Sequence, residues 1–180
     1  LTVSGSNAGS LGSINFTGLE NVTLGAGADT ATIAAGGSLS SLNAGAGADT
    51  LNTNASANSL TINASAAGTV DGTAISNFET INTLAGDDSV TVNNSATALS
   101  LNTGDGTDSL TSTTTADNLT VSGANAGSLG SINFTGLENV TLGAGADTAT
   151  IAAGGSLTSL NAGAGADTLN TNASANSLTI

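Results

Sequence analysis

Internal copying constrains this chain more than any other feature. Shifted by 118 positions, residues 1–62 fall on 119–180 with 60 identities in 62, the exceptions being Ser6 against Ala124 and Ser40 against Thr158. A weaker match at a shift of 59 aligns Leu1-Thr2-Val3 with Leu60-Thr61-Ile62, Glu20 with Glu79, Asp29 with Asp88, and Asp49 with Asp108. The 180 residues read as three units, 1–59, 60–118 and 119–177, with 178–180 opening a fourth, all within one continuous solenoid. Arrays of this kind build their interior by stacking one repeat on the next, not by closing a separate core around each.

Inside the units a shorter rhythm points to strands. Leu24, Ile33, Leu42, Leu51 and Leu60 are nine apart, as are Val92, Leu101, Leu110 and Leu119, and again Leu142, Ile151, Leu160, Leu169 and Leu178. Around them the apolar residues alternate with polar ones, as in Thr30-Ala31-Thr32-Ile33 and Ser89-Val90-Thr91-Val92. That is the period of a strand with one face inward. Runs such as Gly45-Ala46-Gly47 mark turns, and 25 glycines make long helices improbable. Nine is half of an eighteen-residue coil, whereas Asp29 to Asp49 and Asp88 to Asp108 are each twenty apart. The expected fold is all-β: a parallel β-solenoid with coils of about 18–21 residues, three coils per 59-residue repeat. Its rungs would lie about 4.8 Å apart. The first twenty or so residues of each unit follow the rhythm least.

Composition removes whole classes of function. There are 13 carboxylates and no Lys, Arg or His, for a formal charge of -13. Nucleic acid and anionic lipid, which both call for basic patches, are not expected partners. Cys, Met, Pro, Trp and Tyr are absent. Without His, Cys, Lys or Tyr, little remains for nucleophilic or general-base work near neutral pH, so no enzyme is expected. No apolar run is long enough to span a bilayer, and direct membrane insertion is not expected. Phe16, Phe78 and Phe134, the three aromatics, read as core plugs. Glu20, Glu79 and Glu138 read as solvated or capping positions.

Stacking concentrates the charge. Aspartates at equivalent turns of neighbouring coils would lie within about 5 to 7 Å of one another, with no cationic side chain to offset them. A bound cation is the natural remedy, and carboxylates with loop carbonyls favour Ca2+ over Zn2+. The loop Ala44-Gly45-Ala46-Gly47-Ala48-Asp49-Thr50-Leu51-Asn52 resembles the nonapeptide of RTX (hemolysin-type) calcium-binding repeats, Gly-Gly-x-Gly-x-Asp-x-apolar-x, lacking its first Gly. Thr103-Gly104-Asp105-Gly106-Thr107-Asp108-Ser109-Leu110 fits as well, and Ala85-Gly86-Asp87-Asp88-Ser89-Val90 more loosely. The resemblance implies Ca2+ at Asp49, Asp108 and Asp167, with Asp29, Asp88 and Asp147 on the neighbouring coil. Asn77-Phe78-Glu79-Thr80-Ile81 is similar to segments of large bacterial β-strand-repeat surface proteins.

The function expected from these readings is mechanical and non-catalytic. The chain reads as a structural segment of an extracellular bacterial filament, surface layer or adhesin stalk, associating with itself end to end or laterally and rigidified by calcium. The close similarity of units 1 and 3 is expected to make its open edges complementary. An ice-binding or carbohydrate-binding solenoid is the alternative, carried by Thr30-Ala31-Thr32 and its copy Thr148-Ala149-Thr150.

Overall fold

The computed structural model describes residues 1–63, 67–94 and 98–172. Unit 1 contributes β1 (Thr2–Gly5), β2 (Ala8–Leu11), β3 (Ile14–Thr17), β4 (Asn21–Thr23), β5 (Thr30–Ile33), β6 (Ser41–Asn43) and β7 (Thr50–Asn52). Unit 2 contributes β8 (Ser59–Ile62), β9 (Ala67–Val70), β10 (Thr73–Ser76), β11 (Thr80–Asn82), β12 (Ser89–Val92), β13 (Leu99–Asn102) and β14 (Asp108–Ser112). Unit 3 contributes β15 (Asn118–Gly123), β16 (Ala126–Leu129), β17 (Ile132–Thr135), β18 (Leu137–Thr141), β19 (Thr148–Ile151), β20 (Ser159–Asn161) and β21 (Thr168–Thr171). No helix occurs among the described residues.

The strands form two sheets, one of twelve strands in the order β21-β19-β15-β16-β17-β13-β11-β7-β5-β1-β2-β3 and one of nine in the order β20-β18-β14-β12-β8-β9-β10-β6-β4. From one to the next the chain crosses between sheets, so strands that neighbour each other in a sheet are mostly parallel and distant in sequence. Thr2 pairs with Thr32, Thr30 with Thr50, Thr50 with Thr80, and Thr80 with Ser100. The residues facing inward from both sheets form one apolar cluster, including Ile33, Leu51, Leu101 and Leu119 from the first and Leu42, Leu60, Val90 and Leu110 from the second. The larger sheet extends about 53 Å along the stack at a 4.8 Å spacing.

The register departs from the expected uniform coil of 18–21 residues. Successive rungs are separated alternately by 20 and by 30 residues, as in Thr91 with Thr111 and Thr61 with Thr91, the longer step becoming 33 where the partner is the last strand of a hairpin, as in Leu99 with Ile132. The longer steps contain an antiparallel hairpin built on a two-residue turn: Gly12-Ser13 in unit 1, Asp71-Gly72 in unit 2 and Gly130-Ser131 in unit 3. Asp71 and Gly72 both have positive φ, at 47° and 83°, the backbone of a type I′ turn. Each hairpin lies in the same sheet as the strand that opens its unit, as β1-β2-β3, β8-β9-β10 and β15-β16-β17.

The expected three coils per unit are therefore not how a unit is made. Among the described residues each unit visits the sheets five times, counting its hairpin with the opening strand, and five visits are two and a half circuits. Because five is odd, unit 1 opens in the twelve-stranded sheet, unit 2 in the nine-stranded sheet and unit 3 in the twelve-stranded sheet again. Two units restore the starting orientation. The near-identity at 118 and the weaker similarity at 59 share this period: units 1 and 3 have the same orientation and unit 2 the alternate one.

The phenylalanines divide. Phe78 and Phe134 are buried in the core, as expected of plugs, whereas Phe16 is half-buried at the end of the sheet.

Candidate functional site

Every aspartate expected as a ligand stands where the chain enters a strand. Parallel stacking brings these entry points into vertical ladders. The backbone N–H of Asp29 donates to Oδ1 of Asp49 at 2.7 Å, and that of Asp49 donates to Oε2 of Glu79 at 2.8 Å. On the opposite side the amides of Asn58, Asp88 and Asp108 donate in turn to Asp88 Oδ1, Asp108 Oδ1 and Glu138 Oε2, each at 2.7 Å. A third ladder runs from the Asp117 amide to Asp147 Oδ1 at 2.7 Å and from the Asp147 amide to Asp167 Oδ1 at 3.1 Å. One oxygen of each carboxylate thus clips the preceding rung to the next through a charge-assisted hydrogen bond.

Burial grades along the ladders. Asp49, Asp88, Asp108 and Asp147 are buried, Asp29 is half-buried and Asp167 is exposed on the terminal rung. Asp29 also accepts the amide of Gly25 in its own turn at 3.2 Å, the turn-closing bond a free-standing aspartate would make. The structure therefore joins the six expected residues as Asp29 with Asp49, Asp88 with Asp108 and Asp147 with Asp167. It adds Glu79, Glu138 and the buried Asp117 as members of the same ladders. The missing signal was the 30-residue step: Asp49 to Glu79, Asp108 to Glu138 and Asp117 to Asp147 all show it in the sequence.

The second oxygen of each carboxylate separates the sites. Asp88 Oδ2 accepts the Thr83 hydroxyl, five residues earlier; Asp117 accepts hydroxyls from Ser112, at 2.9 Å, and Thr114 on Oδ1, and the Gly143 amide on Oδ2 at 3.1 Å. At the matching position before Asp49 stands Ala44, and before Asp147 stands Leu142. Neither side chain can donate. Oδ2 of Asp49 and of Asp147 is buried with no hydrogen-bond partner, and so is Oδ2 of Asp108. Thr103 stands five before Asp108, but its hydroxyl donates to the Thr135 carbonyl at 3.3 Å. Burial pushes the Asp108 carboxyl above its ordinary value, with the Asp88 and Glu138 carboxylates pushing the same way; the Asp88 amide and the nearby Thr103 hydroxyl oppose them.

Neutral side chains repeat the clip. Asn82 Nδ2 donates to Asn52 Oδ1 and Asn93 Nδ2 to Asn63 Oδ1, both at 2.8 Å. The Thr53 hydroxyl donates to the Thr83 carbonyl at 3.0 Å. The loops between strands stack as tightly. A Cβ added at Gly104 would come 1.5 Å from the Leu84 carbonyl oxygen, so the rung above leaves room only for glycine.

For a cation, these residues supply hard oxygens in stacked pairs. Among the described residues no three carboxylates converge into a metal-holding group. No family model matches the chain, nor does any curated protein or solved structure.

Proposed function

We propose that this chain is a non-catalytic structural segment, a β-solenoid array, of an extracellular filament, surface layer or adhesin stalk. The observation that carries the reading is the ladder: backbone amides donate to carboxylates, a hydroxyl to a carbonyl and Asn side chains to Asn side chains one rung away. A rod so built lengthens by adding rungs, and each rung brings its own partners. The uniform negative charge keeps rods apart in solution.

Calcium belongs to this reading as a reinforcing ion. Its support is the unpartnered Oδ2 of Asp49, Asp108 and Asp147 in a chain without one basic side chain. Circular dichroism melts with calcium and with a chelator test it. A calcium-dependent rise in melting temperature is expected, and identical melts remove the ion while leaving the mechanical role. Electron microscopy of the purified chain tests that role: rods of uniform width are expected, and amorphous or compact particles contradict it.

A second reading has one observation in its favour. The register aligns Thr61, Thr91, Thr111 and Thr141 in a single row on the outer side of the nine-stranded sheet, beside Ser59, Ser89 and Ser109. Such a hydroxyl row suits ordered water or a carbohydrate. Thermal hysteresis and glycan-array binding test it, and silence in both removes it.

A further inference from the structure

Charge is spread unevenly around the stack. Of the 13 carboxylates only Asp108 and Glu138 lie within strands, β14 and β18, and both strands belong to the nine-stranded sheet. The strands of the twelve-stranded sheet hold none. Leu51, Ile81 and Leu101 of that sheet are buried, so the residues alternating with them point outward. They form a grid, with Thr50, Thr80 and Ser100 in one row and Asn52, Asn82 and Asn102 in the next. Bonds along the second row hold it in place: Asn82 Nδ2 donates to Asn52 Oδ1 at 2.8 Å, and Asn102 Oδ1 accepts the Thr135 hydroxyl at 3.0 Å. A soluble surface ordinarily mixes in about 25–35 % charged side chains. This face has none, and the acid is gathered into the ladders where strands are entered, such as Asp29 with Asp49 and Asp88 with Asp108.

We infer that the outer side of the twelve-stranded sheet is a lateral contact surface whose partner is the same surface on a second copy of the chain. The inference rests on the stacked-array reading and deepens it by naming the side on which two rods meet. A two-fold axis sets the same rows against each other. Each carboxamide has two donors and an acceptor oxygen with two lone pairs, so one bond along the row leaves capacity across it. No side chain in these rows is longer than Asn, and sheets bearing such ladders pack about 10 Å apart. A face about 53 Å long and about 14 Å wide offers roughly 700 Å² per copy, or about 1,400 Å² in total, inside the roughly 1,200–2,000 Å² of stable interfaces. Electrostatics selects the side. Contact through the strand-entry edges would press uncompensated carboxylates together. Contact through this face keeps the ladders of the two copies about 10 Å or more apart, beyond the screening length of about 8 Å at physiological ionic strength.

Sedimentation equilibrium of the full chain, with a chelator present so that no divalent ion bridges the rods, tests the inference. In about 0.15 M sodium chloride the weight-average mass is expected to rise about twofold with concentration. At about 0.01 M salt, where charges act over about 30 Å, the rise should shrink. Ser100→Glu with Asn102→Glu, both exposed on β13, should return the mass to that of one chain. Thr111→Glu with Thr113→Glu, a matched exposed pair on the other sheet, should leave the rise intact. Asn133→Glu, exposed on β17, replaces the first pair if that variant does not fold. A single-chain mass at millimolar protein overturns the inference. So does a rise that survives the β13 and β17 substitutions, which would place the contact at the rod ends, or one that only the Thr111 and Thr113 pair abolishes. Amide hydrogen exchange at β7 and β11 reads the stack independently. Rapid exchange there defeats the stacked-array reading itself, so the two failures are distinguishable.

Discussion

Residues 8–24 and 126–142 are the same seventeen amino acids in two settings. In unit 3 they lie under unit 2, and Leu129, Ile132, Phe134 and Leu137 are core; in unit 1 they end the stack, and Leu11, Ile14 and Leu19 face outward. The hairpin is formed in both places, with the same pairings, Gly9 to Phe16 and Gly127 to Phe134. Local sequence therefore sets the hairpin, and the neighbouring rung sets the burial. In an ordinary globular domain the two are hard to separate; here the repeat separates them.

The largest expected effect comes from trimming the same side chain in each setting. Ile132→Ala opens a cavity in the core and should cost about 2–5 kcal/mol, whereas Ile14→Ala should change stability by no more than about 0.5 kcal/mol. Urea denaturation of the two variants measures the difference. Equal costs would mean that the end face is covered in solution.

Glycine gives the next contrast. Gly18 and Gly136 are copies and both have positive φ, at 73° and 87°. A Cβ at Gly18 meets nothing within 4 Å, but one at Gly136 comes 2.8 Å from the Gly104 nitrogen and the Thr103 hydroxyl oxygen. Gly18→Ala should cost about 1–2 kcal/mol for the left-handed backbone alone, and Gly136→Ala should cost about 1–3 kcal/mol more for the clash. Thermal melts of the two variants rank them.

The ladders predict a pH effect. The folded pKa of Asp108 is raised above the ordinary 3.8, chiefly by burial. Its share of stability is thus fully present below that value and is lost as pH rises through the higher folded value. Asp108→Asn removes the buried charge. The neutral isostere already occupies the ladder at Asn58, whose amide group donates to the Asn54 carbonyl at 3.0 Å and to Asp88 Oδ1 at 3.3 Å. The substitution should stabilise the chain by about 1 kcal/mol at neutral pH, and the gain should vanish in acid. Melting temperature against pH for both forms checks the sign.

The smallest effect belongs to Leu84. It has φ of 72° and is 42 % exposed, in the position held by Gly45 and Gly104 on other rungs. Leu84→Gly relieves the left-handed strain and should stabilise by up to about 1 kcal/mol, because the extra freedom of glycine in the unfolded chain offsets part of the gain. Calorimetry resolves a shift of that size.

Much of this architecture was legible beforehand. The alternation around Ile33, Leu42, Leu51 and Leu60 marks inward faces, and all four side chains are buried. The stacked pairs of aspartates twenty apart were visible in the spacing. The hairpins were not found, although Asp71-Gly72 and Gly12-Ser13 between apolar residues are strong two-residue turn signals. They fall in the stretch where the nine-residue rhythm fails, and the rhythm fails because a hairpin stays in one sheet instead of crossing. Missing them concealed the 30-residue step, and with it the place of Glu79, Glu138 and Asp117. The partner of each second carboxylate oxygen depends on which rung lies above, which no local motif records.

The central claim is that rungs 30 residues apart are direct neighbours, and a crosslink tests it most simply because the chain has no cysteine of its own. Ser59 and Ser89 are exposed partners in adjacent parallel strands. At one strand spacing, about 5 Å between Cα atoms, a disulfide between cysteines placed there is sterically allowed. Ser59→Cys with Ser89→Cys should form the bond on mild oxidation, and Ser59→Cys with Glu79→Cys, twenty apart, should not. Bonding of the second pair and not of the first would contradict the alternating register and return the chain to a uniform coil of about twenty residues.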